Sequence, residues 1–450
     1  MSESKFGERG LEQLKLDARV ILDSALDAVD PCKAVHLHVT REGYFLKVDS
    51  HRYDLREIGR VIVVGAGKAS ARMAVAIEEI LGDFISDGLI NVKYGHGEPL
   101  KKMTVWEAGH PVPDQSGIEG TRRLLTFVED ARENDLVISL ISGGGSSLLP
   151  LPASGIDLQA KQETTQALLQ SGATIHQVNA VRKHISGVKG GRLAEAAAPA
   201  RVVTLLLSDV IGDDLDVIAS GPTVPDTTTF ATALDVLTLY NLTGHVPGNV
   251  LSHLEAGARG EKPETPKPGD PVFRNVVNVI VANNASAIQA AADKAKSLGY
   301  TPLVLSSVVQ GEAREVGRVM AAIAREISMT GRPVASPACV IAGGETTVTL
   351  KGKGVGGRNQ ELALAASLDL ENTDNILLLA AGTDGTDGPT DAAGAIVSGN
   401  TLSVARQLGL SARDYLNNND SYHFFQSTGD LVMTGPTGTN VMDIILLLAG

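Results

Sequence analysis

The stretch Val61-Ile-Val-Val-Gly65-Ala-Gly67-Lys68-Ala-Ser70 indicates the fold class of this 450-residue chain. Its first four residues form a short apolar run, which suits a strand that is buried on both faces of a parallel sheet. The glycines that follow predict a tight turn, and apolar residues between Ala71 and Ile77 then recur at helical spacing. The stretch therefore predicts a strand, a glycine-rich turn and a helix, which together form the repeating unit of α/β proteins.

The same pattern recurs along the chain. Five more apolar runs end in clusters of Gly, Asp, Ser or Asn, namely Leu136–Ile141, Val202–Leu207, Val276–Val281, Cys339–Ala342 and Ile376–Ala381. Strands that alternate with helices predict an α/β protein with mostly parallel sheets flanked by helices. Because open parallel sheets bind ligands outside the carboxyl ends of their strands, we expect the functional site in the loops after these runs.

A proline-rich segment suggests where the chain divides. Four prolines lie among charged residues between Glu261 and Pro271, which predicts an exposed connection. We therefore expect a Rossmann-like α/β domain over residues 1–262 and a second α/β domain over residues 272–450, whose last segment can pack back on the first. The alternative is a surface loop within one large domain.

Composition excludes several classes of protein. A net charge of −13 argues against nucleic acid as a partner, because nucleic-acid binding depends on Lys and Arg at the phosphates. The two cysteines, Cys32 and Cys339, have no metal-ligand spacing and predict neither a zinc site nor a disulfide framework. Residues 1–10 are polar, and no apolar stretch approaches the roughly 20 residues of a membrane span. We expect a cytoplasmic protein without membrane partners. The possibility that it forms a homodimer stays open.

The loop Ser142-Gly-Gly-Gly-Ser-Ser147 is the clearest candidate for anion binding. Successive glycines let backbone N–H groups converge on one point, and the hydroxyls add further donors. Pro150 and Pro152 limit the length of any helix that follows. The pattern predicts phosphate contacts from six consecutive residues: Ser142, Gly143, Gly144, Gly145, Ser146 and Ser147.

The turn at Gly65–Ser70 matches neither standard nucleotide fingerprint. A Walker sequence requires a glycine at the place of Ile62 and Ser or Thr at the place of Ala69. No acidic residue clearly ends a second strand about 20 residues later, as a dinucleotide site requires. Lys68 still suits phosphate, because an ammonium in a glycine turn at a strand end is a strong point charge.

A basic run from Asn179 to Arg192 stands out in this acidic chain. Its Lys189-Gly190-Gly191 ending is hard to explain as a solvated helix face, because two glycines cost helix stability. We predict a pocket for a carboxylate or a phosphate. Within it, Lys189, Gly190 and Gly191 are candidate phosphate ligands and Arg182 is a candidate substrate ligand.

Further candidates lie in later loops. Several glycines precede Arg358, which is expected to begin a helix and to reach a transferring phosphoryl group from a mobile loop. Asp209 and Asp384 follow apolar runs and are candidate ligands for Mg²⁺, which takes one or two carboxylates together with phosphate oxygens. Asn283, after the run that ends at Val281, is a second candidate for substrate binding.

These motifs resemble those of the glycerate 2-kinases that end in a MOFRL domain. The resemblance rests on Ser142–Ser147, Asn179–Gly191, Gly343-Gly-Glu-Thr-Thr, Gly356-Gly-Arg-Asn-Gln-Glu361 and Gly382-Thr-Asp-Gly-Thr-Asp-Gly-Pro389, and it extends from Val61 to Gly435. It implies two α/β domains with the active site between them, a C-terminal domain of the MOFRL type, and conversion of D-glycerate to 2-phosphoglycerate with ATP and a divalent cation. It also implies that Lys68 and Arg358 are catalytic.

Two other functions stay open from the residues alone. The Gly65 turn and the alternation of strands and helices are also compatible with an NAD(P)H-dependent hydroxypyruvate reductase, a name attached to some members of that family. A non-catalytic anion-binding module is the second alternative. The residues do not identify a general base for the glycerate hydroxyl.

Overall fold

The structure is a computed structural model that describes residues 10–450. Residues 1–9, in which the sequence predicts no signal peptide, lie outside this range. The chain divides into two compact units: an N-terminal unit of residues 31–281, and a C-terminal unit of residues 282–450 with the chain up to Asp30.

The strands form three sheets. Their bounds are β1 (Val39–Glu42), β2 (Phe45–Val48), β3 (His51–Asp54), β4 (Val61–Ala66), β5 (Ile85–Lys93), β6 (Thr104–Ala108), β7 (Leu136–Ile141), β8 (Arg201–Leu207), β9 (Val276–Ala282), β10 (Thr301–Val309), β11 (Ala338–Gly344), β12 (Ile376–Gly382), β13 (Gly394–Ser398), β14 (Leu431–Val432) and β15 (Asp443–Ala449).

Helices flank the two larger sheets. Their bounds are α1 (Leu11–Ala28), α2 (Pro31–His38), α3 (Ser70–Leu81), α4 (Gln115–Glu129), α5 (Gly145–Leu148), α6 (Leu158–Gln170), α7 (Ile175–His184), α8 (Arg192–Ala197), α9 (Phe230–Leu239), α10 (Gly248–Ala258), α11 (Asn284–Ser297), α12 (Ala313–Thr330), α13 (Arg358–Asp369), α14 (Thr401–Gln407), α15 (Ala412–Asn417) and α16 (Ser421–Thr428). Short 3-10 helices cover Gly82–Phe84, Ile211–Asp213, Ile218–Ser220 and Pro271–Asn275.

The main sheet of the N-terminal unit has the strand order β6-β5-β4-β7-β8-β9. The pairs from β6 to β8 are all parallel, and β4 is in register with β7 from Val61 opposite Leu136 to Ala66 opposite Ile141. Every residue of β4 and β7 is buried, as the apolar runs predict. Because the strands are parallel, the loops after β4, β7 and β8 leave the same edge of the sheet.

The sheet of the C-terminal unit is mixed rather than mostly parallel. Its order is β10-β11-β15-β12-β13-β14, and β15 runs antiparallel to both of its neighbours. The expectation of mostly parallel sheets is therefore confirmed for the main sheet of the N-terminal unit only, since the small sheet β1-β2-β3 is antiparallel. The antiparallel insertion places Asp443, the first residue of β15, opposite Gly344 of β11 and Gly382 of β12, where those two strands end.

The observed division of the chain differs from the predicted boundary at residues 262–272. The proline-rich segment is attached to the N-terminal unit, where the Thr265 hydroxyl donates to Asp226 (2.9 Å), and β9 beyond it joins the main sheet. Helix α1 belongs to the C-terminal unit, where Tyr300 donates a hydrogen bond to Asp17 (2.6 Å). Prolines and charged residues indicate a surface segment but not the unit against which it packs. The buried hydrogen bonds of the segment determine that unit.

Aliphatic side chains build the cores, as the low aromatic content predicts. One cluster lies around β4 and β7, and a second joins α6, α7, α9 and α10 around Phe230. A third fills the C-terminal unit. Within residues 10–450, none of the helices is both long enough and apolar enough to cross a membrane.

Candidate active site

Two glycine-rich loops cross at the carboxyl edge of the main sheet. The backbone N–H of Lys68 donates to the carbonyl of Gly143 (2.9 Å), and the N–H of Ala69 donates to the hydroxyl of Ser142 (3.0 Å). Gly67 has φ +149°, and a Cβ at this position would lie 2.0 Å from the Ser142 hydroxyl. Glycine is therefore required for the crossing. The Ser142 hydroxyl joins the two loops, and its predicted phosphate contact stays a prediction.

The loop after β7 presents open backbone donors. Within residues 10–450, the N–H groups of Gly143, Gly144 and Ser146 form no hydrogen bond with the protein, whereas those of Gly145 and Ser147 bond within the loop. Gly144 adopts φ +82°, which turns the chain into the four-residue helix α5. Converging N–H groups of this kind suit an anion such as a phosphate.

A lysine and a histidine lie beside this loop. A Cβ at Gly144 would lie 2.8 Å from Nε2 of His110 and 3.4 Å from Cγ of Lys68. Burial, followed by the charges of Lys68 and Lys93, lowers the pKa of His110 to about 4. The imidazole is therefore neutral at pH 7. The sequence analysis missed His110 and Lys93, although the apolar residues up to Val92 were a signal for β5.

Asp209 lies beside the same loop, directly after β8. A Cβ at Gly143 would approach Oδ2 of Asp209 to 2.3 Å, so the carboxylate packs against the backbone of the loop. A carboxylate next to open N–H donors can share a divalent cation with a bound phosphate. The donor type and its position fit the predicted Mg²⁺ site, and the ligand role stays a prediction.

The basic run contains two buried lysines with different partners. Lys183 pairs with Asp216 (2.9 Å) and Asp226 (3.3 Å), whereas the ammonium of Lys189 donates to the carbonyl (2.8 Å) and the hydroxyl (3.1 Å) of Ser146. Both side chains are 1% exposed. Lys189 thus contacts the phosphate-loop candidate, and its predicted phosphate contact stays a prediction, whereas Lys183 is neutralised by two carboxylates.

Gly190 and Gly191 shape the turn that follows Lys189. Their φ angles are +59° and +82°, and their N–H groups donate to the carbonyls of Ser220 and Gly221. These donors are occupied within the protein. The predicted phosphate contacts of the two glycines stay a prediction.

The two candidate substrate ligands lie in different units. Arg182, on α7, is half-buried and forms no ion pair within the part of the chain that the structure describes. Asn283 is the N-cap of α11, where its side-chain oxygen accepts from the N–H of Ser286 (2.9 Å). Capping explains Asn283 without a ligand, and substrate contacts of both residues stay predictions.

Arg358 begins α13, as the sequence predicts, but it is held in place rather than mobile. Its Nε and Nη2 donate to the carboxylate of Asp443 (2.6 and 2.9 Å), and Nη1 pairs with Glu345 (2.9 Å). Burial acts against the charged form, but the hydrogen bonds with Asp443 outweigh it and raise the pKa of Arg358. The preceding loop is also packed, since a Cβ at Gly356 would lie 2.2 Å from the Ser421 hydroxyl.

Asp443, the partner of Arg358, is a further residue that the sequence analysis missed. It is 3% exposed and also accepts a hydrogen bond from Asn359 (3.0 Å). Burial raises the pKa of Asp443, and the hydrogen bonds from Arg358 act against this rise. The available signal was an acidic residue directly before the apolar run 444–448.

Two other carboxylates lie in the loop after β12. Asp387 accepts the N–H groups of Asn359 (3.1 Å) and Gln360 (2.8 Å), and burial raises its pKa to about 7. It therefore caps the first turn of α13. Asp384 is half-buried and accepts from the N–H and the hydroxyl of Thr386, both at 3.1 Å. Its predicted metal contact stays a prediction.

Cys32 has neighbours that sequence spacing did not show. Its sulfur, a ring nitrogen of His36 and a carboxylate oxygen of Glu79 lie within 4.8 Å of one another. Cys32 and His36 are one turn apart on α2, and Glu79 comes from α3. Sequence spacing did not show this proximity, and the prediction that the cysteines form no zinc site stays a prediction. Cys339 is buried, which raises the pKa of its thiol to about 12.

Comparison with known families covers most of the chain. Residues 17–255 match the family described as "Domain of unknown function (DUF4147)", and residues 338–443 match the MOFRL family. The first of these matches alone spans more than half of the sequence. The order of the two matches is that of the two α/β units.

Similar proteins cover nearly the full length. A protein named D-glycerate 2-kinase from Thermotoga maritima is 46% identical over 97% of this chain and 98% of its own. A protein named putative hydroxypyruvate reductase from Agrobacterium vitis is 43% identical over 96% of this chain and 94% of its own. A crystal structure of a glycerate kinase from Thermotoga maritima superposes with a TM-score of 0.87, at 45% identity, over 98% of this chain and all of that one.

Proposed function

The chain belongs to the family of glycerate kinases with DUF4147 and MOFRL domains, and we propose that it transfers the γ-phosphoryl group of ATP to the 2-hydroxyl of D-glycerate. The observation that carries the proposal is the loop after β7, whose open N–H groups lie beside Lys68 and Asp209. A nest of donors with an adjacent cation and an adjacent carboxylate suits a nucleotide phosphate and its metal ion. ATP and glycerate would be its small-molecule partners in the cytoplasm.

Charge stabilisation explains how these residues would act. Phosphoryl transfer passes through a loose transition state, so the protein mainly positions the reactants and neutralises charge. The N–H groups of Gly143, Gly144 and Ser146 would hold phosphate oxygens. Lys68 and Arg358 would stabilise the transferring phosphoryl group. The expected position of the active site between the two units stays a prediction.

Mg²⁺ would be held by Asp209 and Asp384. Carboxylates are preferred Mg²⁺ ligands, and the cation when bound neutralises charge on the phosphate oxygens. Asp209 packs against the loop that would hold those oxygens, which supports its role. Arg182 and Asn283 would contact glycerate. No general base is assigned, because a loose transition state needs little help from one.

Product analysis tests the proposal. Purified protein is incubated with ATP, Mg²⁺ and D-glycerate, and the product is supplied to enolase, which accepts 2-phosphoglycerate directly but not 3-phosphoglycerate. We expect enolase to convert the product without added mutase. Loss of NADH absorbance with hydroxypyruvate in the absence of ATP would instead support the reductase name carried by a relative.

Alanine variants test the two catalytic candidates. Lys68→Ala and Arg358→Ala should each lower kcat by about 10²–10⁴-fold, the scale expected for loss of a key charge stabiliser. Arg358→Ala should also lower Tm, because it leaves the buried carboxylate of Asp443 without its guanidinium, so the kinetics are measured well below the Tm of each variant. Wild-type turnover in both would refute these assignments.

A further inference from the structure

Two buried lysines and one half-buried arginine of the N-terminal unit have no carboxylate partner in the described part of the chain. Within residues 10–450, Lys161, Arg182 and Lys189 form no salt bridge. Lys161 is 5% exposed, and the acceptor of its ammonium among the described residues is the carbonyl of Leu151 (3.1 Å). Burial, followed by the charge of Arg182, lowers the pKa of Lys161 to about 7, and burial lowers that of Lys189 well below its ordinary value. Burial and the neighbouring cations thus disfavour the charged forms of the two lysines, and a bound anion would favour them.

A buried donor without an acceptor lies next to these cations. The side-chain oxygen of Asn179 accepts from the hydroxyl of Ser220 (2.9 Å), whereas its Nδ2 is buried and has no hydrogen-bond partner in the described part of the chain. Asn179 precedes Arg182 by three residues on α7, so the two side chains are neighbours on the helix surface. An unpaired buried amide costs about 1–3 kcal/mol, which a ligand oxygen would recover.

Lys183 is a buried lysine of the same unit whose charge is neutralised by carboxylates, as is expected of a lysine with a structural role. It lies one residue beyond Arg182 and pairs with two carboxylates, Asp216 and Asp226. An isolated buried charge costs several kcal/mol even after relaxation, so structural charges are normally paired in this way. Lys161, Arg182 and Lys189 depart from that pattern, and perturbed charges grouped in one place are typical of functional sites.

We propose that Lys161, Arg182, Lys189 and the amide of Asn179 form the subsite that binds the carboxylate of the hydroxy-acid substrate. The proposal rests on the proposed function, and it adds Lys161 and Asn179 to the substrate site. Lys189 connects the subsite to the phosphate loop, because its ammonium donates to Ser146. A carboxylate bound here would place the hydroxyls of a three-carbon acid near the N–H groups of that loop.

The proposal favours a carboxylate over a second phosphate of the nucleotide. The loop after β7 already offers its own open N–H donors for phosphate oxygens. The subsite instead combines a guanidinium with a side-chain amide, a donor set that suits the two oxygens of one planar carboxylate. Serine hydroxyls at positions 146 and 220, hydrogen-bonded to each other at 3.0 Å, offer polar contacts for the rest of a hydroxy acid.

Replacing Lys161 with methionine tests the subsite, because methionine keeps the length of the side chain and removes its charge. In steady-state assays of ADP release, Lys161→Met should raise KM for D-glycerate by about 10–100-fold, the loss of one charge-assisted hydrogen bond. KM for ATP should stay within about twofold of wild type, since no nucleotide contact is lost. An unchanged KM for glycerate, or a rise in KM for ATP instead, would overturn the proposal.

Thermal unfolding separates binding from a structural role. Lys161→Met should not lower Tm, because it removes a buried charge that has no carboxylate partner. D-glycerate should raise Tm of the wild type but not of the variant, and glycerol, which lacks the carboxylate, should raise neither. A lower Tm together with an unchanged shift by glycerate would refute the subsite. Arg182→Gln serves as a second variant with the same expected loss of the glycerate shift.

Lys183→Met is the matched control, since it removes an equally buried but paired ammonium. It should lower Tm without a selective rise in KM for glycerate. A wild-type protein that releases no ADP with glycerate would refute the proposed function itself. In that case the Tm shifts still test the carboxylate site. A rise in Tm with D-glycerate and with lactate that is present in the wild type and lost in Lys161→Met would support the site. No rise in Tm of the wild type with either acid would overturn it.

Discussion

Replacing Asp443 with asparagine tests whether the buried ion pair positions Arg358. The carboxylate accepts two hydrogen bonds from the guanidinium, at 2.6 and 2.9 Å, and a third from Asn359 at 3.0 Å. Asparagine is nearly the same size, but it removes the negative charge and one of the two acceptor oxygens. The guanidinium would keep Glu345 and lose its bidentate partner, so its position would no longer be fixed.

The expected loss follows from these contacts. A displacement of about 1 Å at a positioning group can cost about 10² in rate, or about 2.7 kcal/mol of transition-state stabilisation. We therefore expect Asp443→Asn to lower kcat by about 10²-fold in a coupled assay of ADP release with saturating ATP and glycerate. KM for glycerate should change little, because the interaction affected is made in the transition state.

A double-mutant cycle distinguishes positioning from a separate role. If Asp443 acts through Arg358, the double variant should have the kcat of Arg358→Ala alone. Glu361→Gln is the matched control, because Glu361 is an equally buried carboxylate on α13 that binds Arg314 (2.6 Å) and Asn419 (2.8 Å) but not Arg358. It should lower Tm without a comparable loss of kcat. Wild-type kcat in Asp443→Asn, or additive losses in the double variant, would refute the reasoning.

Three further predictions concern stability and the phosphate loop. Lys183→Met should lower the free energy of unfolding by about 3–5 kcal/mol in urea denaturation, because it leaves the buried carboxylate of Asp226 uncompensated; an unchanged midpoint would contradict this. Gly143→Ala should raise KM for ATP, because its Cβ would lie 2.3 Å from Asp209 and the loop must move; unchanged ATP kinetics would show that the loop is not at the nucleotide. Since burial raises the pKa of Asp387 to about 7, the folded state holds a proton between about pH 4 and 7 that the unfolded chain has released. The free energy of unfolding of the wild type, compared with that of Asp387→Asn, should therefore fall as pH rises through this window, by up to about 1.4 kcal/mol per pH unit. Urea denaturation of both proteins measures this difference, and a difference that does not change with pH would refute the prediction.

The parallel sheet of the N-terminal unit was predictable from the sequence because each of its elements carries a local signal. Apolar runs such as Val61–Val64 are long enough to be buried on both faces, and glycines mark the turns that follow. The crossing of the Gly67 and Ser142 loops follows from the same rule, since parallel strands bring their carboxyl ends to one edge. The proximity of Lys68 to the phosphate-loop candidates was predictable for this reason, and their roles stay predictions.

The features that sequence reasoning missed depend on contacts between distant segments. Strand β15 is an apolar run like the others, and no local signal shows that it inserts antiparallel between β11 and β12. The partner of Arg358 therefore could not be identified, although Asp443 stands at the start of that run. Lys161 lies on a helix with a mixed surface, and only tertiary packing shows that it is buried beside Arg182.

The central place of β15 has a consequence for how the protein is made. Residues 31–281 leave the ribosome as one continuous block, and N-terminal domains generally fold first during synthesis. The sheet of the C-terminal unit is incomplete until residues 443–449 have been translated, because β11 and β12 each lack one of their two neighbouring strands until then. A chain that stops before this strand exposes two unpaired edges, which favour aggregation. Translation of β15 is thus also the step at which Arg358 gains the carboxylate of Asp443.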